Sequence, residues 1–111
     1  MKNKELIMCI VNSGFAGEAI AAAKKAGAPG GVIINGRGTA DQSAEALYHI
    51  AFHLEKDIIM IVVDEDIRDD CLHALYKRVG TGTDAMGVVF TLPVDRAVGL
   101  PGEDDAAADE E

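Results

Sequence analysis

Four apolar runs of strand length alternate with two segments of helical spacing. The runs cover residues 6–11, 32–34, 58–63 and 88–92. Apolar residues recur every three or four positions over residues 15–26 and 67–79, as they do on one face of a helix. In a chain of 111 residues, the order strand, helix, strand, strand, helix, strand predicts one α+β domain. We expect a ferredoxin-like fold, in which an antiparallel four-stranded sheet carries both helices on one face.

The runs at residues 6–11 and 58–63 are apolar at every position rather than at alternate positions. Such strands are buried on both faces of their sheet. Two helices can cover one face, so a second copy of the chain must cover the other. The pattern therefore predicts a homo-oligomer whose sheets pack together, with closed cyclic symmetry.

The segment between the second and third strands has no single pattern. Residues 35–43 are rich in glycine and small polar residues and predict an exposed loop. Residues 49–54 alternate between polar and apolar, as in a short strand with one buried face. We expect a long loop and a further strand here, with a polar reversal at residues 55–57.

A glycine-rich stretch, residues 80–87, separates the second helix from the last strand. It contains Gly80, Thr81, Gly82, Thr83 and Gly87. Glycine lets backbone amides approach a ligand, and hydroxyl groups add donors, so the stretch predicts a phosphate-binding loop. A glycine C-cap followed by a plain turn is the alternative.

The phosphate-binding interpretation needs cations from elsewhere, because the loop follows a helix C-terminus, where the helix dipole is negative. Arg37, Lys77 and Arg78 are the candidates.

Charge and composition narrow the range of partners. The net charge is −9, and six acids lie within residues 103–111, which leaves −3 for the rest. Such a surface disfavours nucleic acid. No apolar run reaches the roughly 18 residues of a membrane span, and we see no signal peptide, so we expect a cytoplasmic protein without membrane insertion. Cys9 and Cys71 are expected to be buried thiols. Residues 1–100 form the domain, and residues 101–111 are expected to be a disordered acidic tail.

The loop and the strand after it resemble a known family. Residues 81–83 (TGT) followed by residues 87–95 (GVVFTLPVD) resemble the nucleotide-binding B-loop and next strand of PII-type signalling proteins. Gly27 and Gly30 before the second strand, and residues 56–66 (KDIIMIVVDED), extend the resemblance. The order of elements matches over residues 5–98.

The resemblance implies a homotrimer whose sheets face inward and which binds adenine nucleotides between subunits. ATP, ADP or AMP, with or without Mg²⁺, would be an effector rather than an obligatory cofactor. A T-loop, at about residues 37–49, would dock onto a membrane transporter or metabolic enzyme, and the protein would not be an enzyme. The predicted nucleotide-binding residues are Gly36, Arg37, Gly38, Val62, Gly80, Thr81, Gly82, Thr83 and Gly87. The predicted effector and partner residues of the T-loop are Thr39, Asp41, Gln42 and Tyr48.

The chain lacks the lysines and arginines that bind phosphate in the PII family pattern. The B-loop lysine falls on Thr83, the phosphate-binding lysine falls on Val88, and the two later arginines fall near Gly99 and Pro101. Each lost charge-assisted contact removes about 1.5–3 kcal/mol. This loss favours a ligand with fewer phosphates, or a different ligand.

Three other functions remain open. A CutA-type metal-binding trimer shares the expected architecture, and His49 and His53 would be its candidate ligands. A small enzyme of ferredoxin-like fold is the second possibility, although no nucleophile, acid–base pair or metal-ligand motif is recognisable. A structural trimer without a ligand is the third.

Overall fold

The computed structural model describes residues 3–39 and 55–100. Its elements are β1 (Lys4–Asn12), α1 (Ala16–Lys25), β2 (Val32–Arg37), β3 (Glu55–Asp64), α2 (Glu65–Val79) and β4 (Val88–Val94). The four strands form one antiparallel sheet in the order β2-β3-β1-β4. The predicted ferredoxin-like α+β fold is confirmed.

Strand β2 is longer than its apolar run. Asn35, Gly36 and Arg37, which were expected in a loop, pair with residues 57, 56 and 55 of β3. The prediction was wrong because backbone pairing with the long strand β3 continues past the apolar residues that define the pattern. The predicted strand at residues 49–54, residues 40–49 of the proposed T-loop (with Asp41, Gln42 and Tyr48), and the tail at residues 101–111 lie outside the described residues.

The core lies between the sheet and the two helices. Odd-numbered residues of β1 and β3 face the helices, where they meet the buried sides of α1 and α2: Ile7, Cys9, Val11, Ile59, Ile61, Val63, Ala19, Ala23, Cys71, Leu75 and Val79. Alanine fills the sheet-facing side of α1, so this helix packs close to the strands. Cys9 and Cys71 are buried thiols, as expected. Burial raises the pKa of Cys9 to about 11, and burial followed by the Asp70 charge raises the pKa of Cys71.

A glycine turn returns the chain from α1 to β2. Gly27 and Gly30 adopt positive φ angles of 111° and 138°. A Cβ atom at Gly31 would lie 2.7 Å from the Met60 carbonyl oxygen, so glycine is required there by close packing. The turn places β2 at the edge of the sheet beside β3.

The other face of the sheet is apolar and carries no cover within the described part of the chain. We call it the open face, and it consists of Leu6, Met8, Ile10, Val32, Ile34, Ile58, Met60, Val62, Val88, Phe90 and Leu92. Val32, Val88 and Leu92 are 60%, 53% and 48% exposed. The fully apolar runs are therefore explained, because alternate residues serve the core and the open face. The oligomer predicted from them stays a prediction.

Neither helix of the described residues has the length and apolar character needed to span a membrane.

Candidate functional site

The glycine-rich loop lies at the end of the sheet where β1 ends and β4 begins. Its two ends meet in a parallel bridge between Gly80 and Gly87, and the Gly87 amide donates a hydrogen bond of 2.6 Å to the Val79 carbonyl. A Cβ atom at Gly80 or Gly87 would overlap a backbone carbonyl oxygen of α2. Glycine is therefore required for close backbone approach. The positive φ within the loop, 49°, belongs instead to Met86.

Three further loop amides donate hydrogen bonds to acceptors inside the loop. The Thr83 amide donates to the Gly80 carbonyl and the Met86 amide to the Thr83 carbonyl, both at 3.0 Å. The Thr83 hydroxyl donates to the Gly80 carbonyl at 2.8 Å, and the Ala85 amide donates to this hydroxyl at 3.3 Å.

Among the described residues, the amides of Thr81, Gly82 and Asp84 have no acceptor in the chain. Within the loop backbone, these three amides are therefore the candidates for binding a phosphate.

Asn12, the last residue of β1, holds the loop against the sheet. It is 5% exposed, and its amide donates to the Ala85 carbonyl at 2.9 Å. Its side-chain Nδ2 donates to the Asp84 carbonyl at 3.0 Å, and its Oδ1 accepts from Lys56 Nζ at 2.7 Å. One buried side chain thus fixes the loop and positions a cation beside it.

Changing Asn12 to Asp should loosen the loop while keeping the Lys56 contact. An oxygen would replace Nδ2 and face the Asp84 carbonyl, so a hydrogen bond becomes a repulsion worth about 1–3 kcal/mol. We expect faster hydrogen exchange at the amides of Thr83 and Met86. Asn35→Asp, on an exposed position of β2, is the matched control. Unchanged exchange in Asn12→Asp would show that the side chain does not hold the loop.

Lys56 is the cation that the structure places near the loop. It lies on the open-face side of the sheet, in line with Gly36 on one strand and Asn12 on the other. Partial burial lowers its pKa. Two cations nominated from the sequence lie elsewhere, since Lys77 and Arg78 line the outer side of the helix layer, where Arg78 pairs with Glu18 at 3.2 Å.

Tyr76 adds an exposed aromatic ring at the same loop. Its side chain is 57% exposed, its ring lies against Gly80, and its hydroxyl is 3.2 Å from the Thr81 hydroxyl. The exposed ring offers a flat apolar surface next to the free amides of the loop.

The structure places some of the predicted nucleotide-binding residues together. Gly36, Arg37 and Gly38 lie at the same end of the sheet as the loop, but β3 and β1 separate β2 from β4, which corresponds to about 14 Å. Arg37 lies directly across from Glu55. Thr39 is exposed just beyond β2.

Val62 is not brought to the loop within one chain. It lies on the open face six residues along β3 from Lys56, about 20 Å away. A site that included both Val62 and the loop would therefore need a second subunit.

Sequence reasoning missed Asn12, Lys56 and Tyr76 as site residues. Asn12 could have been identified from the sequence, because it is a polar residue directly after an apolar run of strand length. Lys56 and Tyr76 had none, because each depends on the register of neighbouring elements.

The described residues contain no group of three His, Cys, Asp or Glu side chains that could hold a metal ion. His49 and His53, the ligands considered for a metal-binding trimer, lie outside the described residues.

The architecture defines the class: a ferredoxin-like α+β domain with one helix-covered face and one open apolar face. Among the solved structures that share this fold are the following two. The citrate-bound PII protein of Arabidopsis thaliana matches with a TM-score of 0.68 and 20% identity over 92% of this chain and 84% of its own. A Bacillus cereus protein related to NIF3 matches with a TM-score of 0.67 and 15% identity over 86% of this chain and 26% of its own.

At these identities the likeness shows a PII-like fold. No protein-family model matches the sequence, and no curated protein matches it.

Proposed function

We propose that this chain is a PII-like regulatory protein, not an enzyme, and that it binds a small anionic effector, an adenine nucleotide. The observation that carries the proposal is the sheet end, where the clamped loop presents three unused amides beside Lys56 and an exposed tyrosine ring. Amides and an ammonium bind phosphate, and the ring can stack on a base.

The open face supports assembly as a homotrimer. Apolar side chains from all four strands form one continuous surface, which is larger than the scattered apolar residues of a typical monomer surface. Packing three such faces around an axis would remove them from water.

The charges around the loop favour a ligand with few phosphates. Lys56 supplies one positive charge, whereas the exposed residue Asp84 supplies a negative charge within the loop itself. A triphosphate would therefore need Mg²⁺ to offset its charge, and a monophosphate would not. We propose that the chain binds AMP or cyclic AMP more tightly than ADP and ATP. Binding would change how residues 37–49 dock onto a transporter or metabolic enzyme.

Calorimetric titration tests the proposal with AMP, cyclic AMP, ADP and ATP, each with and without Mg²⁺. Because the Arabidopsis PII structure is described as bound to citrate, citrate and 2-oxoglutarate serve as non-nucleotide anions. We expect one nucleotide per chain, with affinity falling from monophosphate to metal-free triphosphate. Flat titrations with every nucleotide would overturn the proposal.

Changing Lys56 to Met should weaken binding of the preferred nucleotide about 10- to 100-fold, the value of one charge-assisted contact. The apolar part of the side chain is kept, so the open face should be preserved. Lys24→Met, an exposed lysine on α1, is the control and should bind normally. Equal affinity of Lys56→Met and the parent protein would place the anion elsewhere.

A structural trimer without a ligand is the second candidate. It is favoured by the in-chain hydrogen bonds that occupy five of the eight loop amides, those of residues 80, 83, 85, 86 and 87. The calorimetric titration distinguishes the two functions. Both predict a trimer, but only the regulatory protein is expected to bind a nucleotide.

A further inference from the structure

A groove lies on the outer surface of the helix layer, between α1 and α2. It has a volume of about 850 Å³. Its floor is made of small residues and its rim is cationic: Ala21, Ala22, Ala74, Lys25, Lys77 and Arg78. The candidate effector site does not use any of these residues.

The rim is positively charged although the whole chain carries −9. Glu18, the acid among the lining residues, pairs with Arg78 at 3.2 Å. Lys25 and Lys77 are exposed and form no ion pair with the described residues. The groove therefore has the charge and shape to hold an acidic peptide with small side chains.

The same chain contains such a peptide. Residues 103–105 and 109–111 are all acidic, and they flank the three alanines 106–108. Small alanine side chains match the shallow alanine floor, while the flanking acids match the lysines of the rim. The match is one of both charge and side-chain size.

Residues 101–111 begin close enough to the groove to reach it. Leu100 lines the same pocket as Gly27, Pro29 and Ile67, near the end of the helix layer where α1 ends. Lys25 directly precedes this end and lines the groove. Residues 101–111 can span up to about 36 Å, whereas α1, with 10 residues, is about 15 Å long.

We propose that residues 101–111 dock into the groove between α1 and α2 of their own chain. A segment tethered so close has an effective concentration in the millimolar range, so weak ionic contacts suffice to hold it.

A spin label in the segment tests the proposal on the full chain. Ala107→Cys provides the attachment site, since the native thiols Cys9 and Cys71 are buried. At low salt we expect the amide signals of Ala21, Ala22 and Ala74 to lose most of their intensity relative to the reduced label. The intensity should return at about 1 M NaCl, where charges are screened beyond about 3 Å.

Charge reversal gives an independent test. Lys25→Glu should restore a large part of the signals at low salt, whereas Lys24→Glu should not. Lys24 lies on the same helix, is also exposed, and does not line the groove, so Lys24→Glu matches Lys25→Glu in its change of charge.

Three results would overturn the proposal. The first is an absence of signal loss at low salt, and the second is equal loss over the whole surface. The third is equal loss when the label is carried by a different, isotopically unlabelled copy, because the occupant would then be a neighbouring chain.

Discussion

Changing Met8 to Glu should convert the proposed trimer to a monomer. Met8 lies in the middle row of the open face, between Met60 and Phe90, with Val32 at the edge. In a trimer whose sheets face inward, each chain would bury one unpaired carboxylate near the others. Such burial costs several kcal/mol per group, and the like charges add repulsion. In a monomer the same side chain faces water.

Sedimentation equilibrium or light scattering measures the change directly. We expect the parent protein at roughly three times the chain mass of 11.7 kDa, and Met8→Glu at that single mass. Val98→Glu is the control, because Val98 is 69% exposed but does not belong to the open face. A monomeric parent protein, or a Met8→Glu variant that remains trimeric, would contradict the proposed assembly.

The sequence predicted the fold because each element contains either an apolar run of strand length or apolar residues at helical spacing. The fully apolar run of β3 implied a sheet buried on both faces, and Ile59 and Met60 indeed face opposite sides. Arg37 could not be assigned in the same way. It belongs to β2 because its backbone pairs with Glu55. Backbone pairing does not depend on the hydrophobic pattern, so the pattern could not predict it.

The candidate site was only partly predictable, because its geometry depends on contacts between distant residues. The glycines of the loop predicted a phosphate-binding segment, which the structure places at one end of the sheet. However, they serve the bridge between Gly80 and Gly87 rather than a positive-φ nest, and the sequence does not show which amides remain available. Lys56 and Asn12 are 44 positions apart and meet only because β1 and β3 pair in one register.

Loss of the bridge between Gly80 and Gly87 has the largest expected effect on stability. Changing Gly87 to Ala should lower the free energy of unfolding by about 3 kcal/mol. The added Cβ would overlap the Val79 carbonyl oxygen, which accepts the Gly87 amide, and would come within 3.1 Å of Val11 Cγ1 in the core. Backbone cannot move aside as a flexible side chain can, so the end of α2 and the start of β4 would separate.

Gly82→Ala is the matched control in the same loop, because a Cβ atom there meets nothing within 4 Å. We expect its stability to change by less than about 0.5 kcal/mol. Urea unfolding followed by circular dichroism, at one fixed chain concentration, measures both variants, since assembly makes stability depend on concentration. Equal stability of the two variants would show that the loop closes without the bridge, and the three amides assigned to the anion would then have no fixed position.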